Sequence, residues 1–467
     1  MAGLPLHRHG LTDSARPLPP APRLSADVER LLERLWQGGH AAYVVGGGVR
    51  DALLGRPETD WDVATDALPE RILALFPTGH YENRFGTVTI GGVEVTTFRR
   101  DHQYADHRRP DSVTFTDDVT ADLSRRDFTV NAIAWGRSGH ETDDSLAPGW
   151  VDPSAGLADL DARRLRAVGE PRRRFDEDSL RLLRAARLAA QLGFEIEPAT
   201  RAAMAESAHL AAWVSSERVG AELRKMLRAE PPSSGFRILA ETGLLAAFFP
   251  ELAAQQGVAQ DKIAGHDLWD HALATLDAAA ALEPANTRLR LAALLHDIGK
   301  PSTLADGHFI GHDSAGARLA EALLGRLAFP RREVEAVAEL IGQHMFSYER
   351  RWSDAAVRRF IRRVGRALVD EQLRLRQADN IGSGLDADAG ALAELRQRVA
   401  GQLEASVPLS LHDLAVGGDD LLAAFDRPAG PWVGTVLDRL LEIVIADPAR
   451  NTRGELLDAA RSMAPLE

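Results

Sequence analysis

Cysteine is absent from all 467 residues, which excludes disulfide scaffolds, thiolate zinc sites and thiol catalysis. No apolar run approaches the ~18 residues of a membrane span, and the N-terminus lacks the apolar stretch of a signal peptide. The expectation is a soluble, cytoplasmic protein with no membrane partner. No repeat of fixed period runs along the chain, and no protein partner can be inferred. Positive charge is in deficit, 55 Lys and Arg against 68 Asp and Glu, which argues against a protein coated with nucleic acid. The rest is ordinary. At 45% apolar and 26% charged residues the chain can fill a sizeable core, so low-complexity and fully disordered readings fall away. Its length suggests about three domains.

The little positive charge there is, is concentrated. Between Asp161 and Ala190 nine arginines face five acids, and between Glu349 and Arg366 seven arginines face two. Two such stripes can grip a phosphate backbone or can be solvated helix faces; charge alone favours the second. Residues 1–24, with five prolines and no periodic pattern, read as a disordered tail. From Ser25, Val28, Leu31, Leu32 and Leu35 recur at helical spacing until Gly38-Gly39. Strand-like stretches follow at Ala41–Val45 and Trp61–Thr65, then a hairpin of Thr87–Ile90 and Val93–Phe98 across Gly91-Gly92. After Pro171 strand signals disappear; Leu180, Leu183, Ala186, Leu188 and Leu192 open a helical remainder. The fold class is α+β: a mixed head followed by a helical neck, body and tail.

Chemistry first appears at Gly46-Gly47-Gly48-Val49-Arg50-Asp51, between a strand and a helix, followed by Asp60-Trp61-Asp62. Glycines let backbone N–H groups approach a triphosphate, and a helix start favours an anion. Asp60 and Asp62, two apart on the expected strand, point to one face and suit Mg²⁺. No Gly-Lys-Ser/Thr follows, so this is not a Walker loop. Downstream, Asp178 and Arg181 are three apart on an expected helix. There they can read a base edge as acceptor and donor, or simply form an intrahelical salt bridge. Glu94 is either a third carboxylate or an exposed strand residue. In the body, an apolar helix ends in His296-Asp297-Ile298-Gly299-Lys300; together with His271 and Asp379 this pairs imidazole with carboxylate, as a divalent transition metal prefers.

The segment Tyr43–Gly55 with Asp60 and Asp62 resembles motif A of the bacterial class II tRNA nucleotidyltransferases, the CCA-adding enzymes and poly(A) polymerases of the polymerase β superfamily. Arg125–Ala132 matches their motif B and Glu177–Arg181 their amino-acid template. Asp152–Leu160 matches a turn element in part, with Ala155 where the family has glycine. Arg84–Thr87 and the basic loop Arg99–Asp111 fall where the family has a flexible loop. His271, His296, Asp297 and Asp379 resemble the ligands of the HD phosphohydrolases, and His312 and His344 fall where that family has further histidines.

The resemblance implies an enzyme that adds C, C and A to the tRNA 3′ end from CTP and ATP, with a fused HD domain. Asp60 and Asp62 would be catalytic and hold Mg²⁺. Gly46, Gly47, Arg50, Asp51, Arg126, Asp127, Asp178, Arg181 and Arg184 would bind nucleotide. The HD residues would hold a metal of unknown identity, and the basic neck Arg163–Arg187 the acceptor stem. The implied layout is a head at 25–145, neck and template region at 146–260, HD domain at 261–385 and helical tail at 386–467. Rival readings are poly(A), CC-only or A-only addition and, from another class, an HD phosphohydrolase with a nucleotide-sensing head.

Overall fold

The computed structural model describes residues 18–57, 60–83, 85–102, 107, 108, 110, 112–139, 147–260 and 262–463. Residues 1–17 of the expected tail, Arg84, and residues 103–106, 109 and 111 of the basic loop lie outside the described residues. The chain divides into two compact units, 1–229 with 234–249, and 230–233 with 250–467. No helix among the described residues is long and apolar enough to cross a membrane.

In the first unit, α1 (Ala26–Gln37) starts where Ser25 accepts a hydrogen bond from the Val28 amide, and its Val28, Leu31, Leu32 and Leu35 are buried. The head then runs β1 (Ala42–Val45), α2 (Gly47–Leu53), β2 (Asp62–Thr65), α3 (Pro69–Leu75), β3 (His80–Asn83), β4 (Thr87–Ile90) and β5 (Val93–Thr97). It continues with β6 (Arg99–His102), β7 (Ser112–Phe115), α4 (Val119–Ser124), β8 (Ala134–Arg137) and β9 (Gly149–Val151). Seven of these strands form one sheet in the order β3-β4-β5-β2-β1-β8-β9. All four residues of β1 are buried, as expected of a central strand covered on both faces. The hairpin lies as expected, Ile90 opposite Val93. The strand expected to carry both aspartates is β2, which begins at Asp62, so Asp60 precedes it rather than lying on it.

The neck follows with α5 (Gly156–Asp161), β10 (Arg164–Leu165), α6 (Pro171–Glu177), α7 (Leu180–Leu192), β11 (Glu195–Ile196), α8 (Pro198–Glu206), α9 (Ser216–Met226), α10 (Ser233–Glu241) and α11 (Leu244–Phe248). Strands therefore do not end at Pro171, because β11 pairs with β10 in parallel. Two residues carry no readable period. Ala155 takes φ +56 and ψ +38, the left-handed region that disfavours a Cβ, which accounts for glycine in the related element. Asp152 holds that turn by accepting from the Gly156 and Leu157 amides at 2.7 and 2.9 Å.

The second unit is helical: α12 (Pro250–Ala253), α13 (Leu268–Leu282), α14 (Thr287–Leu295) and α15 (Lys300–Thr303) are followed by the short pair β12 (Leu304–Ala305) and β13 (His308–Phe309). Next come α16 (His312–Arg326), α17 (Arg331–Gly342), α18 (Asp354–Val364), α19 (Val369–Gly382), α20 (Leu392–Glu404), α21 (Gly418–Phe425), α22 (Pro431–Ala446) and α23 (Arg453–Ser462). α13 packs on α14 and α19. A Cβ on Gly382 would stand 2.3 Å from the Thr275 hydroxyl, so glycine there lets α19 reach α13. In the tail Leu421, Val436 and Leu440 are core residues.

Most arginines of the basic stripes have acidic or carbonyl partners, and many of these pairs are exposed. Arg164 and Arg166 pair with Asp159, Arg172 with Glu206, Arg173, Arg174 and Arg181 with Glu177, Arg184 with Asp127 and Arg187 with Glu222. In the second stripe Arg359 and Arg362 pair with Glu442, and Arg358 donates to the Ile445 and Ala446 carbonyls. Arg172 and Arg173 of the neck keep exposed side chains, at 63% and 74%.

Candidate active site and metal centre

The head site forms where β1 turns into α2 beside the start of β2. Gly46 takes φ +80; a Cβ there would stand 3.0 Å from Asp62 Oδ2 and 3.1 Å from Arg126 Nη1. Glycine at this position lets a carboxylate and a guanidinium meet against bare backbone. Asp62 pairs in parallel register with Glu94 on β5. Burial, then the charges of Glu94 and Asp60, raise its carboxyl above the usual carboxylate range, against the opposing pull of Arg126. This is an accumulation of under-neutralised carboxylate, the donor set that a hard divalent cation satisfies. Asp60 is exposed.

Arg126 is held by Asp122 at 3.4 Å, while its buried Nε has no hydrogen-bond partner. The other expected nucleotide ligands form one hydrogen-bonded chain. Arg50 forks onto Asp51 at 2.9 and 2.8 Å and donates to Asn131 Oδ1 at 2.7 Å. Asn131 donates to Asp127 at 3.0 Å, and Arg184 donates twice to Asp127 Oδ2, at 3.0 and 2.6 Å. Burial pulls the Asp127 carboxyl up, but Arg184 and Asn131 outweigh it and hold the group far below the usual range. Both oxygens of Asp127 are engaged, which anchors it between Asn131 and Arg184. Gly47 opens α2 with no close neighbour beyond the Arg50 guanidinium. Asn131 was not singled out from sequence, although its place in the Arg125–Ala132 segment was visible.

The template pair departs from expectation. Asp178 is extended, with φ −143 and ψ 102, at the break between α6 and α7, so it does not share a helix face with Arg181. It accepts from Arg218 of α9 at 2.8 and 3.0 Å. Arg181 donates to Glu177 at 2.8 Å and to the Arg125 carbonyl at 3.0 Å. The salt-bridge alternative is thus half realised, with Glu177 as partner. Nothing in the sequence pattern marked Arg218.

In the second unit His271, His296, Asp297 and Asp379 converge. His271 Nε2 lies 3.1 Å from His296 Nε2, 3.2 Å from Asp379 Oδ1 and 3.5 Å from Asp297 Oδ2. The other oxygen of Asp297 faces His312 and His344 at 3.5 and 3.6 Å, so one carboxylate joins two triads. Each imidazole sets its Nδ1 against a backbone carbonyl: His271 on Gly382, His296 on Ala293, His312 on Phe309 and His344 on Ile341. A carbonyl only accepts, so Nδ1 carries the proton and Nε2 offers a lone pair to the centre. Burial lowers the pKa of His296 and of His312. Burial raises Asp297 and Asp379, but imidazoles around both, with Lys300 or Lys262, carry them well below the usual range. Neutral imidazoles and ionised carboxylates are the state a divalent cation binds.

Family models match in three places: the Poly A polymerase head domain at residues 42–166, the probable RNA- and SrmB-binding site of polymerase A at 193–256, and the HD domain at 268–383. The CCA-adding enzyme of Geobacillus stearothermophilus is 34% identical over 431 residues, 91% of this chain and 93% of its own. That of Bacillus licheniformis is 32% identical, covering 91% and 94%. The crystal structure of the Bacillus stearothermophilus CCA-adding enzyme in complex with CTP superposes with a TM-score of 0.70 at 28% identity, covering 93% of this chain and 96% of that one. The Thermotoga maritima enzyme complexed with tRNA shares the fold, with a TM-score of 0.58 at 18% identity.

Proposed function

The chain belongs to the family of the CCA-adding enzymes, and we infer that it adds C, C and A to the 3′ end of tRNA from CTP and ATP, releasing pyrophosphate. The observation that carries this reading is the meeting of Gly46, Asp62 and Arg126 at one turn, with Asp60 and Glu94 beside it. Whole-chain relatives named CCA-adding enzymes do not favour the poly(A), CC-only or A-only readings, nor a hydrolase with a sensing head. The cytoplasm is the compartment this work implies.

In this reading the tRNA 3′-oxygen bonds to the α-phosphorus of the nucleotide as the bond from that phosphorus to the β-phosphate oxygen breaks in line. The hydroxyl proton passes to solvent and pyrophosphate leaves. Asp60 and Asp62 would hold Mg²⁺, which when bound favours the attacking alkoxide and neutralises the leaving group. Arg126, with an uncommitted Nε, meets the phosphates. The chain Asp51–Arg50–Asn131–Asp127–Arg184 fixes the floor beneath the nucleotide. Asp178 and Arg181 select the base, for which Asp178 exchanges Arg218 for the exocyclic amino group of cytosine or adenine. His271, His296, Asp297 and Asp379 hold a divalent transition metal in a separate HD centre.

The base-selection step has a direct check. Asp178→Ala is expected to reduce the preference for CTP and ATP over UTP and GTP by about 10–100-fold, the worth of one or two hydrogen bonds to a base edge. The readout is a four-nucleotide competition on a tRNA ending at the discriminator base. Unchanged selectivity would remove Asp178 from base choice.

A further inference from the structure

The metal centre of the second unit has a seventh neighbour that belongs to neither triad. Lys262, on the segment leading into α13, places Nζ 2.8 Å from His271 Nε2, 3.1 Å from Asp379 Oδ1 and 3.9 Å from Asp297 Oδ2. Its side chain is 28% exposed, whereas those of His271, His296 and Asp297 are 1% exposed. The lysine therefore lies on the solvent side of a sealed cluster.

The spacing says which part of the centre it fills. Ligands about 2.1 Å from one ion at right angles are about 3.0 Å apart. The edges from His271 to His296 and to Asp379, 3.1 and 3.2 Å, fit such a polyhedron. The Lys262 nitrogen continues the same edge length, at 2.8 Å from His271 and 3.1 Å from Asp379. It stands at a corner and not at the centre. An ammonium has three donors and no lone pair, so it cannot serve as a ligand there. The corner it occupies is the open position that a hydrolytic centre must leave to water or to a phosphate oxygen. Lys300 is different: it touches Asp297 alone among these ligands, at 2.6 Å, and is buried.

We propose that Lys262 is a built-in plug: its ammonium closes the exchangeable position of the HD centre and holds that centre shut against phosphomonoesters. The proposal rests on the reading of these residues as a metal centre. Without the ammonium, the corner is free for water or for a phosphate oxygen. Hydrolysis then forms a bond from water oxygen to phosphorus as the ester P–O bond breaks; one water proton goes to the departing alkoxide or phenolate, and inorganic phosphate remains.

The test compares full-length protein with its Lys262→Met and Lys262→Ala variants, two substitutions at an exposed position. Calorimetric titration with Mn²⁺ or Ni²⁺ reads metal binding, and p-nitrophenyl phosphate reads hydrolysis. Loss of a competing cation should tighten metal binding by about 10-fold or more, within the range that changes around metal ligands produce. Hydrolysis should rise by a similar factor, while CCA addition by the first unit is unchanged. Asp297→Ala in the Lys262→Met background should abolish the gain, which assigns it to this centre. Equal affinity and equal hydrolysis in all three proteins overturn the plug. A fall in hydrolysis on removing the lysine overturns it too, and makes Lys262 a substrate-holding residue. Failure of every protein to bind metal defeats the underlying reading, a result distinct from either.

Discussion

Asp62→Asn is expected to cut nucleotide incorporation by about 10³-fold or more, roughly 4 kcal/mol of transition-state stabilisation, without unfolding the protein. In Mg²⁺-free buffer it should raise the melting temperature. Burial lifts the pKa of Asp62, Glu94 and Asp60 add to the shift, and Arg126 offsets only part of it. A carboxyl whose pKa is raised on folding costs stability once it ionises. The cost is absent below the unfolded value near 3.9 and complete above the raised folded value. The stability gap between variant and parent should therefore open as pH rises through the acid range and persist to neutrality. Thermal melts across pH 3–8, paired with an incorporation assay in Mg²⁺, check both halves. Incorporation within 10-fold of the parent, or a melting temperature that falls by several degrees, would contradict the assignment.

Asp127→Ala is expected to act in the opposite sense, costing about 1.5–3 kcal/mol of stability because it removes charge-assisted hydrogen bonds from the half-buried Arg184. Asp127 is 9% exposed and ties Arg184 of α7 to Asn131, and through Asn131 to Arg50. Its pKa is held down in the fold, chiefly by Arg184 working against burial. That contribution is complete above the unfolded value near 3.9 and is lost as pH falls from there toward the depressed folded value. The difference between parent and Asp127→Asn should thus be full at neutral pH and shrink in acid. In a double-mutant cycle, Asp127→Ala with Arg184→Met should cost less than the two singles summed, since each alone leaves its charged partner unpaired. Denaturant melts at pH 7 and pH 3 read all of this. Strict additivity would show that the pair is not the strut described.

Legibility in the sequence followed the kind of signal each feature leaves. The helix α1 was readable to the residue because Ser25, the buried Val28–Leu35 stripe and Gly38 are local signals. The β4–β5 hairpin was readable because two glycines sit between two apolar runs. The cluster of His271, His296, Asp297 and Asp379 was readable because His296-Asp297 is a rare adjacency, and His271 and Asp379 meet it where α13, α14 and α19 pack together. What escaped was non-local pairing. Asp178 and Arg181 are close in sequence, but a break between α6 and α7 parts them, and Arg218, 40 residues on, takes the carboxylate. The ion-pair partners of the neck arginines were not readable, because Glu206 and Glu222 lie on other helices, outside the counted stretch. Lys262 left no trace at all; only the folded segment before α13 brings it to His271 and Asp379.

The most direct measurement offers purified protein and Mg²⁺ three tRNAs, ending at the discriminator base, at C and at CC, each with CTP, ATP or both, and sequences the 3′ ends. The account predicts two additions from CTP on the first, one on the second, one A on the CC-ended tRNA, and a complete CCA with both nucleotides. Two cytidines and no adenosine, adenosine alone on the CC end, or long adenosine tails on any RNA would contradict it.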